Sequence, residues 1–503
     1  MKRSLMVWGT SSGAGKSLLA TALCRWAAQR GVDVAPFKAQ NMSNNARVVP
    51  GRDGGYGEIG AAQYFQALAA RVTPGVDMNP VLLKPESETS SQVVLQGQVV
   101  PAWSHLPWRE RSEFLAVAAR ESYERLARRH ELIIMEGAGS PAEINLAAHD
   151  YVNLGTARWA RAAGDLASLL VADIDRGGAF AHLHGTWALL PDDLRGSLAG
   201  FVLNKFRGDA ALLAPGPELL RSATGVPVVA VLPMRRDHGL PDEDGVFDPA
   251  ESGAAAAAAP LVVAVAACPQ ISNLDEFQPL RQVPGLRLRW ARDAAALADA
   301  DWIILPGSKQ VSGDLDWLRR RGMDGAIARH AAAGRPLLGI CGGLQMLGLS
   351  MDDAQGVDGA AGQRAGLGLL PLHTRYEAPK RVLPLRARFG VPAPPWQALE
   401  GIEAAGYEIR NGRTFVADTP ADAAAMPVLH DDAGAAIGWQ RGCVLGFYAH
   451  GLFESAAVMQ ALFGARTRTL DRSLDGLAEL VDRHFDAGVL SRLLPGVRPW
   501  RTA

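Results

Sequence analysis

Residues Leu5–Trp8 form a short apolar run that passes directly into Gly9-Thr10-Ser11-Ser12-Gly13-Ala14-Gly15-Lys16-Ser17, and a helical pattern follows to Arg30. A strand that enters a helix through a glycine-rich turn is the opening unit of a parallel sheet. The pattern recurs downstream. Val32–Pro36, Leu132–Met135, Leu169–Ala172, Gly200–Leu203 and Val228–Val231 read as buried strands. Near-continuous apolar runs joined through helices imply an α/β fold with helices on both faces of the sheet.

The second half repeats this style. Leu261–Ala266, Trp302–Leu305 and Pro336–Ile340 read as parallel strands, Ala326–Ala333 as a helix, Val444–Tyr448 as a late strand, and 352–363 as a loop. A chain of 503 residues exceeds what one core supports, so two domains are expected. Ser252-Gly253, the six alanines Ala254 to Ala259, and Pro260 carry no amphipathic period. The expected division is therefore 1–252, a linker at 253–260, and 261–503.

The turn at 9–17 has the chemistry of a phosphate cradle. Backbone N–H groups around Gly13 and Gly15 and the helix N-terminus face the phosphates. Lys16 supplies a point charge, and Ser17 supplies a hydroxyl for Mg²⁺. The spacing departs from the strict form, because Thr10 stands where glycine is expected and Gly9 lies one residue earlier. Lys38 ends the second strand, where it can meet an anionic substrate near the γ-phosphate. Glu136 ends the strand Leu132–Met135 and is the first candidate carboxylate for Mg²⁺, with Glu58 the weaker second. ATP and Mg²⁺ are the implied ligands.

Far downstream, Pro336–Ile340 leads into Cys341-Gly342-Gly343 and a further helical pattern. Flanking glycines close a sharp turn that exposes the sulfur, and the following helix is expected to favour the thiolate. Cys24, Cys268 and Cys443 lie in or beside apolar runs and read as core residues. A thiolate nucleophile needs a proton partner. Of 11 histidines, His450 stands out beside Gly451 after the last strand. The turn at Gly307 is placed to contribute oxyanion donors with Gly342 and Gly343.

A net charge of -1 gives no reason to expect nucleic acid or an anionic membrane as partner. No apolar stretch approaches the roughly 18 residues that span a bilayer, and the N-terminus lacks a signal-peptide cleavage pattern. Four scattered cysteines form neither a disulfide framework nor a metal pattern, so a cytoplasmic location is expected.

The N-terminal loop resembles that of dethiobiotin synthetase and related amide-forming ATPases. The segments around Gly307, Cys341 and His450 resemble a triad-type (class I) glutamine amidotransferase domain. That family's His-x-Glu is absent, since Leu452 holds the third position and Glu454 follows two residues later without an assigned role.

Longer motifs sharpen the comparison. Gln40-Asn41-Met42-Ser43, Glu58-Ile59-Gly60, Met78-Asn79-Pro80, Ser91-Gln92-Val93, 136–146, Asp173-Ile174-Asp175-Arg176, Asn204-Lys205-Phe206-Arg207, Ile271-Ser272-Asn273 and Gly406-Tyr407-Glu408-Ile409 resemble the cobyric acid synthase family. The resemblance spans residues 5 to about 455. It implies amidation of the b, d, e and g carboxylates of adenosylcobyrinic acid a,c-diamide, with glutamine as nitrogen donor and ATP as activator. It also implies that Cys341 is the nucleophile, His450 its base, and Asn204 an adenine contact. Asp173 and Asp175 stay open between metal and substrate. Leu344 and Arg410 stand where the family has tyrosine and histidine. Partners are then small molecules (glutamine, ATP, a corrinoid), with the oligomeric state left open. The nearest rival is cobyrinic acid a,c-diamide synthase, and the Gln-Asn-Met-Ser and Met-Asn-Pro motifs argue against it. A regulatory P-loop ATPase switch with a degenerate glutaminase domain is the rival of a different class.

Overall fold

A computed structural model of the chain describes residues 2–86, 90–104, 106–235, 238–240, 260–420, 424–465 and 469–494. The expected alanine-rich linker at 254–259 lies outside the described residues. The chain divides into two compact units, residues 1–43, 49–238 and 469–503 in one and residues 44–48 and 239–468 in the other.

The first unit is built on a six-stranded parallel sheet. From one edge the order is Val228–Pro233, Leu198–Phe206, Asp165–Asp173, Arg3–Gly9, Leu132–Glu136 and Val34–Phe37. Leu5, Met6, Val7 and Trp8 are fully buried, as a central strand covered on both faces requires. Register sets what meets at the carboxyl edge. Val7 pairs with Glu136, Gly9 with Val171, and Asp173 with Asn204. Ligands of open parallel sheets bind at this edge. A separate four-stranded sheet comprises Gln40–Met42, Val81–Pro85, Ser91–Leu95 and Gln98–Val99.

The end of the chain corrects the expected division. Residues 261–503 are not one unit, because the helix Leu470–His484 packs on the helix Lys16–Gln29 that follows the phosphate turn. Leu474, Leu477, Ala478 and Val481 recur at helical spacing and are buried. The polar positions pair across the contact. Arg25 binds Asp471 at 3.0 Å and Asp475 at 2.7 Å, and Arg30 binds Asp482 at 2.7 Å.

The second unit holds an 11-stranded sheet. Its parallel part runs Leu286–Ala291, Leu261–Ala266, Trp302–Leu305, Leu337–Ile340 and Val444–Phe447. Beyond the last of these it turns antiparallel through Ala436–Arg441, Met426–Asp431 and Leu372–Phe389. Leu372–Phe389 also pairs with Glu403–Val416 in a long ribbon. The segment 352–363, expected as a loop, is the tip of an antiparallel pair formed by Ser350–Asp353 and Gly362–Ala365.

Candidate active sites

In the first unit, the turn after Arg3–Gly9 takes the shape the glycines permit. Gly13 and Gly15 have φ of +70° and +99°, a region open to glycine and costly for other residues. A Cβ on Gly15 would stand 1.9 Å from Asn204 Nδ2, which donates to the Ala14 carbonyl at 2.9 Å. Asn204 therefore belongs to the wall of this turn. Lys16 Nζ donates to the carbonyls of Ser11 (2.9 Å) and Gly139 (3.1 Å), folding over the cradle where a phosphate would lie.

Glu136 gathers the remaining groups. Its carboxylate accepts from Ser17 Oγ at 2.9 Å, Lys38 Nζ at 2.7 Å, Gln66 Nε2 at 2.5 Å and Gln63 Nε2 at 3.4 Å. Lys38 is held from behind: Asn79 Nδ2 donates to its carbonyl at 3.1 Å, and its own N–H donates to Met78. The Met-Asn-Pro motif is thus a brace for Lys38. The loop after Glu136 is braced by Asn153, whose side chain both accepts from Ala138 N (3.1 Å) and donates to Ala138 O (2.8 Å).

Ser17, Lys38 and Glu136 come together in one hydrogen-bonded group. Glu58 is buried in an ion pair with Lys84. Lys205 carries no separate mark in the sequence. It has φ of +60° and sends Nζ to Gly13 O at 2.7 Å and Asp173 Oδ2 at 3.0 Å. A non-glycine residue in that region is strained and persists only where its surroundings hold it. Asp175 pairs with Arg207.

The second unit places Cys341 on a strained elbow with φ of +51° and ψ of -102°. A Cβ on Gly343 would stand 2.0 Å from Leu305 O, and one on Gly342 would stand 2.8 Å from Ser308 N. Only glycine lets the elbow close against the turn at Gly307, and this puts that turn beside the sulfur. Asp314 fixes the turn by accepting from Ser308 Oγ at 2.6 Å and from Gln270 N at 3.0 Å. Cys341 Sγ lies 3.7 Å from the carbonyl of Ile409. The next residue, Arg410, lies over the Tyr448 ring with its guanidinium 3.9 Å from the ring centre. Its Nε is 3.2 Å from Glu408 Oε2.

Cys341 lies close enough to His450 for its charge to act on the imidazole. A Cβ on Gly307 would stand 2.9 Å from His450 Cε1, so Gly307, Cys341 and His450 share one site. Burial pulls the imidazole pKa down, but the charge of Glu276 and then that of Cys341 outweigh it, raising the value to about 10. Sequence reasoning misses Glu276. Its Oε1 lies 3.2 Å from His450 Nδ1 and its Oε2 accepts from Gly451 N at 3.3 Å. The available signal is the Ile271-Ser272-Asn273 motif, which ends three residues earlier. Glu454 pairs instead with Arg47. Burial pushes the thiols of Cys24, Cys268 and Cys443 up, which keeps them protonated and apart from this chemistry.

Two family models match the chain. Residues 5–245 match a CobQ/CobB/MinD/ParA nucleotide binding domain, and residues 262–458 match a CobB/CobQ-like glutamine amidotransferase domain. The chain is 60% identical over 502 residues to the cobyric acid synthase of Methylibium petroleiphilum, covering 99% of this chain and 98% of that one. It is 59% identical over 508 residues to that of Leptothrix cholodnii, with the same coverage. The chain belongs to the cobyric acid synthase family. Members of this family are glutamine amidotransferase ligases.

Proposed function

We propose that this chain amidates the b, d, e and g side-chain carboxylates of adenosylcobyrinic acid a,c-diamide, consuming glutamine and ATP. What supports the substrate is likeness over the whole length to cobyric acid synthases at about 60% identity. What supports the chemistry is the assembly of both sites from distant parts of the chain.

At the thiol site, Cys341 Sγ attacks the glutamine carboxamide carbon. The oxyanion forms against the backbone around Gly307 and the Gly342-Gly343 turn. His450 gives its proton to the departing nitrogen, so ammonia leaves and a glutamyl thioester stays on Cys341. Water, losing a proton to His450, then attacks the thioester, releasing glutamate and restoring the Cys341 thiolate beside protonated His450.

At the phosphate site, a corrinoid carboxylate oxygen attacks the γ-phosphorus of ATP and ADP departs, leaving an acyl phosphate. Ammonia displaces the phosphate and forms the amide. Lys16 and the N–H groups around Gly13 and Gly15 hold the phosphates, and Lys38 meets the negative charge that develops between acceptor and γ-phosphate. Asn204 borders the nucleotide. Mg²⁺ fits the donor set at Ser17 and Glu136, since it takes one or two carboxylates and completes its shell with phosphate oxygens and water. It would neutralise charge on the bridging phosphate oxygens. Glu58 is the second carboxylate of this reading, and in this structure it pairs with Lys84. The four cysteines are unpaired thiols, which suits a cytoplasmic enzyme.

The test is incubation of the a,c-diamide with ATP–Mg²⁺ and glutamine, followed by mass spectrometry. Four successive carboxylate-to-amide mass shifts are expected. Absence of any shift sinks the substrate assignment.

A further inference from the structure

The triad-type glutaminases that this thiol site resembles take their orienting carboxylate two residues after the histidine. Here Leu452 occupies that position and is buried. Glu454 is committed to Arg47. A buried imidazole that must trade protons with a thiol still needs one nitrogen fixed. Among the described residues, the carboxylate that meets His450 is that of Glu276. Both residues are 1% exposed, so the pair is shielded from water and from salt.

We propose that Glu276 is the positioning carboxylate of the glutamine-cleaving site, and that the segment Asn44–Val48 sets where it stands. The proposal rests on the glutaminase reading of Cys341 and His450.

Glu276 lies in the 3₁₀ stretch Leu274–Gln282, whose preceding residue Asn273 has φ of +55°. Such a turn does not hold itself. Asn45 Oδ1 accepts from Leu274 N at 2.8 Å, and Asn273 Oδ1 accepts from Ala46 N at 3.1 Å. Arg47 is ion-paired with both Asp275 and Glu454. It also lies over the Tyr407 ring, 5.1 Å from its centre, and Tyr407 stacks on the His450 ring at 5.3 Å. Reciprocal backbone bonds join Tyr407 and His450 at 2.9 and 3.2 Å. Arg47 thereby braces both partners, the turn that carries Glu276 and the ring behind His450. One planar guanidinium can span two carboxylates and a ring face, whereas an ammonium group cannot.

The charged and titratable groups around His450 are Glu276, Cys341 and Tyr407, with Arg47, Asp275 and Glu454 behind them. Removing the charge of Glu276 leaves burial as the dominant influence on the imidazole, so its protonated form is lost at lower pH.

The test compares Glu276→Gln, Glu276→Asp and Arg47→Lys with the unaltered enzyme. Conversion of glutamine to glutamate is measured across pH, and ammonia-dependent amidation is measured alongside. Glu276→Gln should lower kcat for glutamine by about 10²- to 10⁴-fold, as loss of an orienting carboxylate does elsewhere. The alkaline limb of its kcat/KM should move to lower pH, with ammonia-dependent amidation within about twofold. Glu276→Asp should recover part of kcat. Arg47→Lys should lower kcat more than it raises KM.

Unchanged kcat and an unmoved alkaline limb in Glu276→Gln overturn the proposal. If Glu276→Gln loses both activities together, Glu276→Asp and Arg47→Lys decide the matter, and equal loss of both activities in these also overturns it. A wild-type chain that cleaves glutamine without amidating the corrinoid defeats the substrate reading alone.

Discussion

His450 Nδ1 lies 3.2 Å from the carboxylate of Glu276, a residue 174 positions earlier in the chain. That contact binds the end of the amidotransferase sheet to a turn near its first strand. It also holds the imidazole protonated to about 10 against the burial that would discharge it.

A pH dependence follows from this. An ordinary histidine loses its proton near ~6.5. His450 keeps its proton up to about 10, so the protonated donor needed by the leaving nitrogen persists through neutral and mildly alkaline conditions. The kcat/KM for glutamine should show no decline through the ordinary histidine range and should fall as pH rises through about 10. The same sign holds for stability. The contribution of the Glu276–His450 pair is complete below the unfolded value and is lost as pH rises through the folded one. Glutamine hydrolysis and urea midpoints across this range check both statements.

Cys341→Ala should abolish glutamine-dependent amidation while ammonia-dependent amidation continues. The other three thiols are buried or half-buried and protonated, so none replaces it. The measurement is amide formation with glutamine or with ammonium chloride as nitrogen source. Survival of the glutamine-dependent rate removes Cys341 from its role.

Glu136→Gln strikes the phosphate site. It leaves Lys38 buried without the carboxylate it pairs with at 2.7 Å. Breaking a buried pair in this way costs about 3–5 kcal/mol. Ammonia-dependent amidation should fall on the order of 10²-fold from misplacement of Lys38 and Ser17, with glutamine hydrolysis largely kept. Calorimetric melting and the two rates together test this.

Gly343→Ala should remove glutamine hydrolysis, because the added methyl would meet the Leu305 carbonyl at 2.0 Å. The nearest atoms are the Leu305 carbonyl oxygen and carbon, which are backbone, so the elbow must shift. An overpacking cost of about 1–3 kcal/mol should lower the melting temperature of the second unit. Gly334→Ala is the contrasting case for space, since its added Cβ would meet nothing within 4 Å. It still carries the strain of a φ of +72°, so it should destabilise without removing activity.

Leu477→Ala tests the corrected division of the chain. Leu477 is 1% exposed in the helix that packs on Lys16–Gln29. Truncating it should cost about 2–5 kcal/mol, and ATP should offset part of that loss by binding the folded nucleotide unit. If residues 469–494 instead stabilised the amidotransferase unit, ATP would give no such protection.

Much of both sites is legible because their chemistry is written locally. A phosphate turn needs its glycines, lysine and serine within one strand–turn–helix unit, and an elbow needs its cysteine between glycines. Strand ends are equally readable, which is why Lys38, Glu136 and His450 can be picked out from their neighbours, whereas Asn204 comes only from the family resemblance. Glu276 carries no such local mark. It lies in a short irregular turn, and only the closing of the sheet brings it against His450. Arg47 is hidden for the same reason, since a five-residue excursion into the second unit leaves no periodic signal. The helix Leu470–His484 falls to the wrong unit on sequence alone, because amphipathic spacing shows that a face will be buried without showing against what.

By itself, then, the sequence determined the parallel α/β layers, the phosphate turn, the thiol elbow and the family. These depend on spacing within one or two elements, where backbone geometry leaves few alternatives. Tertiary structure alone decided which carboxylate stands behind His450, which cation holds the turn beneath that carboxylate, and which unit receives the end of the chain. Those are pairings between charges and faces that many partners could satisfy, and packing selects among them by burying one pair and leaving the rest in water.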